Sequence, residues 1–64
     1  MTGKKTLQER EKELQGLLAT PEGRKELTSL EARYQAAGGK FRPPATSVIT
    51  YILVHEREHG LISG

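Results

Sequence analysis

Ser47-Val48-Ile49-Thr50-Tyr51-Ile52-Leu53-Val54-His55-Glu56-Arg57-Glu58-His59-Gly60 is the stretch on which the fold turns. Its first half is β-branched and aromatic, and propensity alone favours a strand there. A strand needs a partner, and the only other short apolar piece is Leu61-Ile62. Thr46 or Ser47 supplies an N-cap, Gly60 supplies a residue suited to the turn after a helix, and the distance between them holds about three helical turns. The segment therefore reads as a helix from Ser47 to His59.

Upstream, Gly38 to Ala45 has loop chemistry: Gly38-Gly39, Pro43-Pro44 and the basic-aromatic-basic triplet Lys40-Phe41-Arg42. Thr6-Leu7-Gln8-Glu9 has the form of a capping box, which predicts a first helix from Leu7 to Ala19. Leu7, Leu14, Leu17 and Leu18 share one stripe of it, with Glu, Lys, Arg and Gln on the opposite face. Thr20-Pro21 stops that helix and starts a second one to Ala37, with Thr20 as N-cap and Pro21 at the first position. Its apolar side carries Gly23, Leu27, Leu30, Tyr34 and Ala37, and either Gly38 or Gly39 suits its end. Gly23 on that side permits close approach of a neighbouring helix; a frayed helix is the alternative explanation.

The expected fold class is all-α, a small three-helix domain: an antiparallel helical hairpin plus a hydrophobic third helix. Its expected core is Leu14, Leu17, Leu18, Leu27, Leu30, Tyr34, Val48, Ile49, Ile52 and Leu53. The domain is placed at 6–62, between a flexible basic tail, 1–5, and a carboxyl-terminal tail, 63–64.

A chain of 64 residues buries only about 60% of the surface it exposes when unfolded, which argues against a large enclosed catalytic cleft. Chains this short usually add disulfides, a metal or a partner subunit, and with no cysteine in the sequence the last two remain. Ten basic and eight acidic residues are too even a mixture to mark a dedicated polyanion binder. The opening Met1-Thr2-Gly3-Lys4-Lys5 is not followed by an apolar run and does not read as a secretory signal. Val48 to Val54 falls far short of the ~20 residues that cross a bilayer, so no membrane partner is expected. The absence of cysteine fits a cytoplasmic location.

His55-Glu56-Arg57-Glu58-His59 satisfies the pattern H-E-x-x-H and over those five residues resembles the zinc metallopeptidase signature. The resemblance implies His55 and His59 as metal ligands and Glu56 as the group that polarises a bound water. Arg57 and Glu58, however, are charged where that family's helix is buried. Gly60-Leu61-Ile62-Ser63-Gly64 offers no third ligand, and an upstream carboxylate, Glu26 or Glu31, would have to fold back to serve. The motif is therefore read as a chance match, the protein as no enzyme and without a cofactor, and His55 and His59 as weak metal candidates only. Their expected role is to sit protonated at the negative end of the helix dipole, where Gly60 ends the helix.

Two binding readings remain. Val48, Ile49, Tyr51, Ile52, Leu53 and Val54 spread apolar surface around most of the third helix, more than two short helices are expected to cover. The uncovered part, at Tyr51 and Val54 beside Phe41, is expected to bind a protein partner or a second copy of the chain as a homodimer. The competing view makes this the central core helix, wrapped by the hairpin, the Phe41 loop and Leu61-Ile62. The alternative function is a small nucleic-acid-binding module using Lys40, Phe41, Arg42, Lys4 and Lys5, with Phe41 stacking on a base; otherwise Phe41 is a plug over the open end of the hairpin. A helix-turn-helix is not expected, because the 38–45 connection is longer than that motif's usual turn of about three or four residues.

Overall fold

The computed structural model describes residues 3–38 and 40–63. The chain forms three α-helices, α1 (Leu7–Leu17), α2 (Pro21–Ala36) and α3 (Val48–Glu58), and each packs against both others. Among the described residues there is no strand; a single parallel bridge joins Thr6 to Ser63. The all-α three-helix architecture expected from the sequence is the one observed.

Caps set the boundaries. At α1 the Thr6 hydroxyl accepts from the Glu9 amide at 3.1 Å while the Glu9 carboxylate accepts from the Thr6 amide at 2.9 Å, the reciprocal capping box. Thr20 caps α2 through the Gly23 amide at 3.0 Å, with Pro21 at the first position. Ser47 caps α3 through the Thr50 amide at 3.1 Å. That cap commits the β-branched run to a helix, and Ile49, Ile52 and Leu53 then fall on one buried stripe.

The helix ends are equally local. Gly38, with φ of 95°, receives the left-handed turn after α2, while Gly39 lies outside the described residues. Gly60, with φ of 71°, closes α3. There the Gly60 amide donates to the Arg57 carbonyl at 3.1 Å and the Leu61 amide to the Glu56 carbonyl at 2.8 Å, so two orphan carbonyls of the last turn are satisfied. The reversal drops Ile62 into the core. Ser63, placed by the sequence reading in a terminal tail, donates to the Lys5 carbonyl and accepts from the Leu7 amide, both at 2.8 Å.

The core consists of Leu14, Leu27, Ile49, Ile52, Leu53 and Ile62, with Leu7, Leu17, Leu30, Tyr34, Val48 and Tyr51 half-buried against it. Two expectations need correction. Leu18 is exposed rather than core: α1 ends at Leu17, not Ala19, because the chain tightens into Leu18-to-Gln15 and Ala19-to-Gly16 bonds on its way to the extended Thr20. Ala37 is likewise an exposed cap, not part of the inward stripe. Gly23 does allow close approach: a Cβ there would lie 2.1 Å from the Leu17 carbonyl oxygen. No helix among the described residues is long and apolar enough to cross a membrane.

Candidate interaction groove

Consecutive residues of α3 point to different sides, and His55 and Glu56 divide two polar constructions between them. On one side the Glu56 carboxylate is 3% exposed and accepts three hydrogen bonds. Arg10 Nε reaches Oε1 and Arg10 Nη2 reaches Oε2, both at 2.8 Å, and Tyr34 Oη reaches Oε2 at 2.6 Å. Arg10 comes from α1, Tyr34 from α2 and Glu56 from α3, so one carboxylate joins all three helices. The hydrogen bond to Glu56 holds the Arg10 guanidinium above its ordinary pKa, against the opposing effect of burial. Burial first, and then the neighbouring Glu56 carboxylate, push the Tyr34 phenol up to about 12. Arg10 also pairs with Glu13, whose carboxyl is held below its ordinary range by Lys5 and Arg10.

This network corrects the sequence reading at one point: Arg10 is not on the outer face of α1 but occupies the inward stripe of Leu7, Leu14 and Leu17. Glu56, buried and accepting three hydrogen bonds, is committed to the contact between the helices. The signal was present, because Glu56 continues the Ile49-Ile52-Leu53 stripe and a carboxylate there requires a buried cationic partner.

On the other side, His55 is sandwiched. Tyr34 stacks on it with ring centroids 4.1 Å apart and planes at 9°, and His59 stacks on its far face at 4.1 Å and 18°. Imidazole lone pairs lie in the ring plane, so two nearly parallel rings direct them side by side instead of toward a common point. Among the described residues no three His, Asp or Glu side chains gather in a metal-holding group. Glu31 is committed to Arg42 at 2.9 Å, and Glu26 is exposed. His55 also departs from the protonated state expected at a helix end: burial, and secondarily the neighbouring His59, lower its pKa. Desolvation is the largest cause there.

The His55 side of α3 forms one wall of an open groove of about 370 Å³. Tyr51, Val54, His55, Glu58 and His59 line that wall, and the connecting loop supplies the other through Gly38, Lys40, Phe41 and Pro43. The loop is held in place from behind: Arg42 turns away from the groove to bond Glu31, and its Nη1 donates to the Thr46 carbonyl at 2.6 Å. The Thr46 amide closes the loop on the Pro43 carbonyl at 3.0 Å. Phe41 is thereby presented outward, 84% exposed, and Val54 is 41% exposed. Phe41 is not a plug.

The three residues singled out for partner binding, Phe41, Tyr51 and Val54, therefore meet at one groove. The uncovered part of α3 is narrower than expected, because Ile62 and the polar network complete the cover elsewhere. The five residues of the nucleic-acid reading do not come together. Lys40 and Phe41 line the groove, Arg42 faces α2, Lys5 pairs with Glu13 on α1, and the Lys4 ammonium lies beside Gly60. Glu58 and Pro43 also line the groove and carry no signal in the sequence, since only the fold sets the loop opposite the last turns of α3. No family model matches the chain, and neither does any curated protein or solved structure.

Proposed function

We propose that this chain is a non-catalytic interaction module that docks a protein partner in the groove between the 40–43 loop and α3. Phe41 carries the reading. A phenyl ring held out to water forgoes roughly 1.5–3 kcal/mol of burial, and here the loop that holds it is anchored by the Arg42–Glu31 pair instead of folding inward. An outward aromatic beside half-covered Tyr51 and Val54 has the composition of an interface hot spot. The commitment of Glu56 to Arg10 and Tyr34 supports a role without catalysis, and a chain without cysteine accords with a cytoplasmic setting.

The test is selection of random peptides displayed on phage against the full chain, with binding mapped by amide chemical shifts. Selected peptides should move the signals of 40–42 and 51–59, and Phe41→Ala should weaken their binding at least about tenfold, the effect of ~1.4 kcal/mol. Peptides that map elsewhere, or a selection that enriches none, would overturn the reading. Oligonucleotides that move the same signals at low salt would favour the nucleic-acid alternative.

A further inference from the structure

The groove is divided by charge as well as by origin. Its loop wall carries a cation, Lys40, and an outward apolar anchor, Phe41; its helix wall carries an anion, Glu58, and the apolar receivers Tyr51 and Val54. A twofold axis beside the groove sets the loop wall of one copy against the helix wall of the other, and does so twice. Such an isologous contact forms only on a patch complementary to itself. This one is: Lys40 would meet Glu58 of the second copy and Glu58 its Lys40, while each Phe41 enters the other's Tyr51–Val54 surface.

Resting on the docking role proposed above, we infer that the groove's occupant is a second copy of this chain, held as a twofold dimer by exchanged Phe41 anchors and reciprocal Lys40–Glu58 pairs. A standard interface takes about 800 Å² from each protein, roughly a sixth of the 4620 Å² this chain exposes. The groove alone is smaller, so the dimer belongs to the weak, concentration-dependent class. Glu58, Lys40 and Phe41 are all exposed and lie outside the core, so substitutions at these positions leave the helices intact.

Sedimentation equilibrium on the full chain, carried to on the order of 1 mM, should show reversible dimerisation that Phe41→Ala removes. Lys40→Glu and Glu58→Lys should each weaken the dimer at least about tenfold, because each sets like charges opposite one another. An equimolar mixture of these two variants should associate better than either alone, since every cross-copy pair is then of opposite sign. A parent that stays monomeric, Phe41→Ala dimerising as the parent does, or a mixture no better than its components would overturn the inference. If the parent is monomeric yet selected peptides still map to the groove, docking stands and only the second copy falls; if both experiments fail, the docking role falls as well.

Discussion

Glu56→Gln keeps the side chain's volume and deletes the one charge on which three helices converge. Every hydrogen bond at this carboxylate is donated to it: two from Arg10 at 2.8 Å and one from Tyr34 at 2.6 Å. A carboxamide has a single acceptor oxygen, so whichever way it turns, its NH₂ meets a donor. Hydrogen bonds to charged groups contribute about 1.5–3 kcal/mol, and removing one partner of a buried ion pair costs about 3–5 kcal/mol. Arg10 retains 21% side-chain exposure, so water recovers part of its solvation, and the expected loss is about 2–4 kcal/mol. For 64 residues total stability is on the order of 3–10 kcal/mol, so roughly a fifth or more of it rests on this carboxylate. At about 4–8 °C per kcal/mol for a domain of this size, Tm should fall by roughly 10–30 °C. Urea unfolding followed by far-ultraviolet circular dichroism near neutral pH measures the loss. The companion Arg10→Met/Glu56→Leu removes both charges, and an apolar pair of similar volume is often neutral. It should therefore be more stable than Glu56→Gln alone. A Glu56→Gln urea midpoint equal to the parent's, or a double variant weaker than the single one, would refute the assignment of this pair as the clamp.

The two tyrosines should respond with opposite sign to loss of the hydroxyl in thermal unfolding. Tyr34→Phe forfeits a bond to a carboxylate and should lose about 1.5–3 kcal/mol, whereas Tyr51→Phe, whose buried Oη has no partner among the described residues, should gain about 1 kcal/mol. Acid should weaken the fold through His55, whose native pKa lies below the ordinary 6.5. The unfolded chain takes that proton first, so stability is level above 6.5, declines as pH falls toward the lowered native value, and levels again beneath it. Urea midpoints across that range should show the decline, with Tyr34 and His59 stacked on the ring and the charges of Glu56 and Glu58 opposing the shift, and His55→Phe should flatten it. Gly23→Ala should destabilise by more than about 2 kcal/mol, since its Cβ would meet Leu17 backbone at 2.1 Å. A frayed helix would instead gain about 0.5–1 kcal/mol from alanine, so the sign of the Tm change decides.

Much of the fold was legible because its signals are short-ranged. Thr6 with Glu9, Thr20 with Pro21, and Ser47 with Gly60 each fix a helix end through groups within a few residues, and they outweighed the strand propensity of Val48 to Val54. What escaped the sequence were pairings between helices. Arg10 reads as one more polar residue of a charged helix until Glu56 is found 46 positions away. His55 and His59 have the spacing of metal ligands, yet that spacing is equally the spacing of stacked rings, and only the Tyr34 ring beneath them decides between the two. The nucleic-acid set failed to assemble for the same reason. Lys5 and Arg42 look like free cations in sequence and find carboxylates, Glu13 and Glu31, on neighbouring helices.

The two sides of α3 are coupled by its geometry. Residues 55 and 56 differ by about 100° around the helix axis, so whatever fixes the Glu56 side chain also fixes the rotation of the helix about its length. Apolar packing by itself specifies that rotation loosely, because Ile49, Ile52 and Leu53 lie on a broad stripe and apolar contacts are non-directional. The carboxylate is directional: it is held from α1 and α2 at once, by donors of fixed geometry. Tyr51, Val54, Glu58 and His59 are consequently aimed at the 40–43 loop by a network none of them touches. The groove should therefore lose its shape in Glu56→Gln even under conditions where the helices remain folded. Amide signals of residues 40–42 would shift in that variant, while those of the α1–α2 turn would not. Unchanged loop signals would show that packing alone sets the rotation.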